Sequence, residues 1–536
     1  MTEPPCPRRR IEWSVTAIVL AVAAAAFLIG IRWGLPSRAA DPYLFGQQEP
    51  WSGQKIVGLA PAESDERGAD VDANPILGRE SPVVLNPTDE QRAEIVRRYR
   101  LFSYQPDEMI TFKSLSRLRA NRGDPRLYQY GGLWIYPVGA IIAATLDPKS
   151  DQAHYLDHPE EFAKFYIAAR AYSALWGLIA TWTVMCIVRR LTASLLLSAG
   201  AGLAFAFMPV VVTMAHEAKP HLAGTALILL TVAAAMRFNE TNARRHAWLA
   251  CAFAGAAFAM VLTGIVAFAV IIVMAWKRWT LLAQGIALGL AVYALTNPFV
   301  LINALFHREL LLSNLGNTSA MYAFSFDGVI NAIWLIAAGA SPLIAIAGIA
   351  ALIIRGLGIL PEDLRSAASR RAAAPLERSG ETPKPRLGLL LAPALLAAIQ
   401  FILLASGKPP EYARFGLLID ATLVIAAFVA IVRMRSAKAQ AAVVVLLVLF
   451  TAIHGFVYVR AFVRDSAPLT SRLAAAEKLE GRDVIRVKAE PAPYVMPPVN
   501  LFETQLILDP SSPDVRIAPS PAPISWADVR FEVSSP

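Results

Sequence analysis

The sequence predicts an all-α polytopic membrane bundle of about 11 transmembrane helices, with surface helices in a long first external loop and a small α/β C-terminal appendage. Three observations lead there. Of 536 residues, 56% are apolar and only 17% charged, with a mean hydropathy of +0.46, a balance too apolar for an ordinary soluble chain. Windows of roughly 20 apolar residues, the length that crosses a ~30 Å hydrocarbon core, recur from residue 12 to about 460. Lys and Arg gather at the ends of those windows, so the net charge of +9 reads as membrane topology rather than nucleic-acid binding. Three distant cysteines, Cys6, Cys186 and Cys251, offer neither a disulfide framework nor paired zinc spacing.

The first apolar stretch, Ile11 to Trp33, follows Arg8, Arg9 and Arg10. It exceeds the about 7–15 residues of a signal-peptide core and reads as a retained anchor. With those arginines inside, residues 34–165 form the first external loop. Spans then run inward from about Phe165 to Arg189 and Arg190, outward to about Thr213, and inward again to Arg237, Arg244 and Arg245. The run 247–275 reads as two short spans broken near Thr263 and Gly264, because one long helix would put Lys277 and Arg278 outside. A seventh span rises to Asn297 and Pro298, and an eighth descends from about Val329 to Ile354 into a cytoplasmic linker at 355–387, rich in Arg, Ala and Pro. The remaining three spans end near Gly407, Arg433 and Val459, which leaves the C-terminus outside.

Two domains follow: a transmembrane part, 1–464, and a small extracytoplasmic part, 465–536, where a helical stretch (469–479) precedes strand-like "DVIRVKA", "NLFETQLIL" and "WADVRFEV". "YGGLWIYPVGAIIAATL", Tyr130 to Leu146, is at the short limit for spanning, and a crossing there would invert every later loop. It reads as a helix on the outer surface, with Trp134 and Tyr136 at the interface.

In "FSYQPDEMITFKSLSRL", Pro106 suits the first helical position and places Asp107 and Glu108 in the first turn, near the positive end of the helix dipole. Met109, Phe112, Leu115 and Leu118 make an apolar stripe while Lys113, Arg117 and Arg119 face elsewhere, so the helix can lie on the membrane with its acids toward an outer cavity. Simple dipole compensation is the alternative for the pair. Beyond it come "GDPRLYQYGGLWIYP", then "MAHEAKPHLAG" in the second external turn, "TNPFVLINALF" after the seventh span, and "EYARFGLLID" opening the tenth.

Taken in that order, these motifs resemble the GT-C superfamily of polyprenyl-phosphate-sugar-dependent glycosyltransferases, in particular protein O-mannosyltransferases and the aminoarabinose transferases that modify lipid A. The resemblance covers roughly residues 12–460. It departs at Gln105, where many relatives carry His, and at Phe415, where many carry Tyr after the Arg; the stretch 41–100 is longer than in the family and has no assigned role. The resemblance implies an integral enzyme of the bacterial inner membrane, N-terminus cytoplasmic and C-terminus outside. Its partners would be membrane lipids, a polyprenyl-phosphate sugar (hexosyl or pentosyl) and a hydroxyl-bearing acceptor that is protein, lipid or glycan. It implies Asp107 as the base that takes the acceptor proton and Glu108 as the group orienting the acceptor or a divalent cation; no cofactor is named by the sequence.

For the phosphate the residues themselves point to Arg414, whose planar fork suits an anionic leaving group, and more weakly to Lys408 and Lys219; interfacial snorkelling is the alternative. His216, Glu217 and His221 line the cavity with Tyr130. A zinc reading of the first three is opposed by Pro220, which breaks the helix that would align them. His154 and His158 read as solvated surface. A secondary transporter would need internal repeats and ionisable groups at mid-span, and neither is read here. A non-catalytic scaffold presenting the tail is the other rival. No Rossmann-like domain or phosphate loop supports a nucleotide-sugar enzyme.

Overall fold

The computed structural model describes residues 7–60, 83–319, 321–356, 388–406, 410–465, 471–518, 524–527 and 530–534. Among them, seven helices are long and apolar enough to cross a membrane, nine if each of two bent pairs counts as one span. The predicted eleven is not reached by that measure, for local reasons. The run after Arg244 is split: the helix Arg244–Met260 has 17 residues, Val261 is extended, a 3-10 turn covers Leu262–Ala267 and Phe268–Met274 resumes the α-helix. Thr263 and Gly264 lie in that 3-10 turn, so the break falls where it was predicted and leaves two segments too short to count as spans singly.

Proline sets both bends. Leu195–Ala206 meets Pro209–Ala215 at 62°, and Phe326–Ala340 meets Pro342–Ile354 at 111°. In the second case Ser341 takes a left-handed φ of 74° directly before Pro342. A proline begins a helix well but cannot continue one, so the predicted straight eighth span is instead two helices turned sharply on each other. The linker, from 357 on, lies outside the described residues.

Pro159–Thr192 is the longest helix, opened by Pro159 with Glu160 and Glu161 in its first turn and closed by Arg189, Arg190 and a left-handed Ala193. Its 34 residues reach roughly 50 Å, which carries its first turns beyond the hydrocarbon and in among the loops. Gly132–Thr145 is a 14-residue helix, too short to cross. Its Trp134 is not at a membrane interface: it is fully buried and donates Nε1–H to Thr111 Oγ1 at 3.1 Å.

The larger sheet of the tail takes a strand from the first loop. Strand β1 (Val83–Val84), from the first loop, pairs antiparallel with β3 (Gln505–Leu508), which pairs parallel with β2 (Val484–Val487); β4 (Val515–Ala518) and β5 (Arg530–Val533) form a separate antiparallel ribbon. Asn86 clamps the junction, donating to the Leu501 and Thr504 carbonyls and accepting from the Leu506 N–H. The Tyr99 hydroxyl donates to Met496 O at 2.9 Å, and the rings of Phe45, Trp51 and Phe502 pack edge to face or tilted. Within the stretch 41–100, without a role in the sequence reading, residues 45–51 and 83–99 thus seat the tail.

Candidate active site

The helix holding the acid pair starts two residues later than predicted, at Glu108, with Asp107 at its N-cap. That shift separates the fates of the two acids. Asp107 has its N–H bonded to Gln105 Oε1 at 2.6 Å, and its side chain does not cap the helix. The carboxylate lies 2.9 Å from Lys219 Nζ and 3.1 Å from an Arg414 guanidinium nitrogen, and stays 31% exposed. Glu108 is fully buried. It takes a two-pronged contact from Arg170 at 2.8 and 2.7 Å, a hydrogen bond from Ser103 Oγ and another from the Ala218 N–H at 2.7 Å. Arg170 also donates to the carbonyls of Ile31 and Trp33, and Trp33 Nε1–H donates to His216 O. Glu108 therefore ties together the end of the first helix, the 159–192 helix and the 216–220 turn, and does not face the cavity.

Lys219, fully buried, stands 3.3 Å from Glu217 Oε2 as well as beside Asp107. Gln105 completes the frame by donating Nε2–H to the same Glu217 oxygen at 3.2 Å. The amide thus serves both acids at once, one through a backbone N–H and one through a side chain. Burial pushes the Glu217 carboxyl up to about 7 despite Lys219, with Glu108 adding to the rise. Burial acts in the same sense on Asp107, but Lys219 and Arg414 outweigh it and hold that carboxyl well below the usual range. The Tyr130 phenol, raised by burial and then by Asp107, remains a neutral donor.

Arg414 sits in the 3-10 turn Pro410–Gly416, its guanidinium 5.0 Å from the rings of both Tyr412 and Phe415. The His221 ring meets Phe415 and Tyr130 edge-on, at 4.8 and 5.9 Å. His221 and Arg414 also border a narrow cleft of about 30 Å³, open at its mouth, with Thr225, Val261, Thr263, Gln400 and Leu418 on its walls. His216 points elsewhere: it stacks on Phe462 at 4.2 Å and 4°, its ring nitrogens 2.8 Å from the Val212 and Ile29 carbonyls. Among the described residues no group of three or more His, Cys, Asp or Glu is placed to hold a metal ion. Lys408 lies outside the described residues.

Tyr130 is positioned by close backbone contact. Gly131 N–H donates to Met260 O, and Gly132 N–H to Asn297 Oδ1 at 2.6 Å. A Cβ on Gly131 would come within 1.9 Å of Ala259 O, and one on Gly132 within 2.0 Å of Thr296 O, so only glycine permits the approach. The "NP" motif thus acts as a clamp on the "YGG" motif. Sequence reasoning missed Gln105, Arg170 and Asn297 as site supports. An arginine inside the apolar run "AARAYSALW" was the available signal for Arg170. It also missed a second ionisable group within an apolar helix. Asp420 is fully buried in Leu417–Ile431, and neither carboxyl oxygen has a hydrogen-bond partner among the described residues.

A bundle of membrane-length helices with a charged cluster at one end defines an integral helical membrane protein. No family profile and no curated sequence matches the chain. Solved structures similar to it include ArnT from Cupriavidus metallidurans bound to undecaprenyl phosphate: 18% identity, 69% of this chain and 67% of that one, TM-score 0.42. Another is the Archaeoglobus fulgidus oligosaccharyltransferase in complex with zinc and sulfate: 13% identity, 70% and 51%, TM-score 0.36. A third is AglB of the same organism with an inhibitory peptide and a dolichol-phosphate: 12% identity, 74% and 61%, TM-score 0.35. The chain spans about half to two thirds of the length of these structures.

Proposed function

We propose that the protein transfers a sugar from a polyprenyl-phosphate carrier to an acceptor hydroxyl at the outer face of a bacterial inner membrane. The observation that carries this reading is the Asp107 carboxylate held between Lys219 and Arg414, the second of which borders a cleft. A lone acid in a first turn needs no such partners. Two converging cations with an exposed edge make a seat for a phosphate monoanion or dianion. An arriving donor phosphate competes with Asp107 for those cations. As they turn to the phosphate, Asp107 loses the charges that suppress its affinity for a proton and becomes a competent base.

In the transfer step the acceptor oxygen bonds to the anomeric carbon and the bond from that carbon to the phosphate oxygen breaks. The electron pair leaves with the phosphate under Arg414 and Lys219, and the acceptor proton passes to Asp107. Glu108 is a positioning residue that fixes the helix start and the 217–219 turn. The 465–536 segment, packed on the first loop, forms a wall on the same face, and 355–387 is the cytoplasmic linker. The test is purified protein in sealed proteoliposomes offered a panel of radiolabelled polyprenyl-phosphate sugars. Transfer of label to an acceptor, abolished by Asp107→Asn, supports the reading. Label carried across the bilayer without transfer supports a transporter, and neither activity supports a scaffold.

A further inference from the structure

The opposite end of the bundle plays no part in the transfer reading. The 21-residue helix His221–Thr241 starts beside Asp107 and delivers Asn242 roughly 30 Å away. Arg244–Met260 returns, with the Met260 carbonyl accepting from Gly131 near the Asp107 cluster. At the far end a cavity of about 950 Å³, counting its open mouth, is bordered by Phe238, Asn242, Arg244, Lys277, Arg278 and Trp279.

The border is one-signed. Three cations converge on it, and no Asp or Glu borders it among the described residues. The neighbouring acid, Glu240, is engaged by Arg190 at 3.4 Å and Arg237 at 3.7 Å. Arg278 is held in place by donating to Asn242 Oδ1 at 3.0 Å while its guanidinium lies 5.5 Å from the Phe238 ring. Two helices, Arg244–Met260 and Trp279–Thr296, begin here without a side-chain cap, so their amide ends add to the positive field. Trp276 and Trp279, 67% and 74% exposed, mark the level of a membrane interface, and exposed Leu249 and Ile272 continue toward the hydrocarbon.

We propose that this cavity binds the headgroup phosphate of an anionic phospholipid, with the acyl chains along the exposed apolar faces beside it. Topology alone explains basic residues on this face, but not their convergence on a cavity that excludes acids and is rimmed by tryptophan. The paired tryptophans and apolar flank favour a lipid over a soluble phosphate. The site is independent of the transfer reading, which stands or falls without it.

The experiment is native mass spectrometry of delipidated, detergent-purified protein titrated with phosphatidylglycerol, cardiolipin, phosphatidylcholine and, as the soluble arm, inorganic phosphate. Phosphatidylglycerol or cardiolipin is expected to be retained over phosphatidylcholine and phosphate. Arg244→Gln with Arg278→Gln should weaken that retention about 25-fold, at about fivefold per cation lost near the surface, whereas Arg433→Gln with Arg435→Gln, also basic and predicted on the same face, should not. If the double variant fails to fold, Lys277→Gln alone should show the fivefold loss. Equal retention by the variant, equal loss in the control pair, equal binding of phosphatidylcholine, or phosphate binding as well as the lipids each overturns the proposal.

Discussion

Asp107→Asn should move donor binding and transfer in opposite directions. The substitution keeps the side chain's size and removes the charge that Lys219 and Arg414 hold at 2.9 and 3.1 Å. A hydrogen bond to a charged group contributes about 1.5–3 kcal/mol. Because Asp107 is 31% exposed, the lower end of that range applies to its competition with the donor phosphate. Removing the competitor should lower the donor Kd by about tenfold. Removing the base should lower the single-turnover transfer rate by about 10²–10⁴. Glu217 still neutralises Lys219 at 3.3 Å, so the fold should survive. The assay is equilibrium binding of radiolabelled donor to protein in nanodiscs, followed by single-turnover transfer on the same preparation. Wild-type transfer by Asp107→Asn would remove it as the base. Weaker donor binding would refute the competition argument even if transfer were lost.

Arg414→Ala should slow transfer about 10²–10³-fold, as loss of a charge-stabilising donor does, and Arg414→Lys should remain impaired because it lacks the fork; wild-type turnover in either would take Arg414 out of the site. Glu108→Gln should act on the fold instead, leaving buried Arg170 without its counter-charge at a cost of about 3–5 kcal/mol, and Glu108→Leu with Arg170→Met should recover much of the thermal stability, whereas a stable but inactive Glu108→Gln would return this acid to the chemistry. For Glu217, a carboxyl pushed up to about 7 binds its proton more tightly folded than unfolded, so its contribution is full below about pH 4.3 and is lost as pH rises toward 7. Glu217→Gln should flatten that decline by on the order of 2–3 kcal/mol, and an unchanged profile of melting temperature between pH 4.5 and 7 would contradict it. Topology reporters after residue 100, within 214–221 and at the C-terminus should read outside and those within 355–387 inside; a tail found inside would mean that the 111° bend at Ser341 turns the chain back and changes the parity of crossings.

Properties that depend on sums over neighbours along the chain could be read without coordinates. Hydropathy accumulates over about 20 residues, so the membrane-length segments were legible, as were the break near Gly264, the short helix after Tyr130 and the strand-like runs from residue 484 onward. The bends before Pro209 and Pro342 were not read from the sequence, and their angles depend on what the two halves pack against. The order of "QPDE", "HEAKP", "NP" and "YARF" was readable along the chain and marked Asp107, Lys219 and Arg414 as belonging together.

The surroundings of each member became visible in three dimensions alone. Asp107 and Glu108 are chemically near-equivalent neighbours, but one step of an α-helix turns a side chain by roughly 100°. That rotation sends Asp107 to Lys219 and Arg414 and Glu108 into the core against Arg170, 62 residues away along the chain. The same holds for Gln105, whose amide bridges Asp107 and Glu217, and for residues 83–84, whose partner strand lies more than 400 positions later. Burial and counter-charge are properties of what surrounds a residue in space, and those surroundings are assembled from parts of the chain that no local window contains.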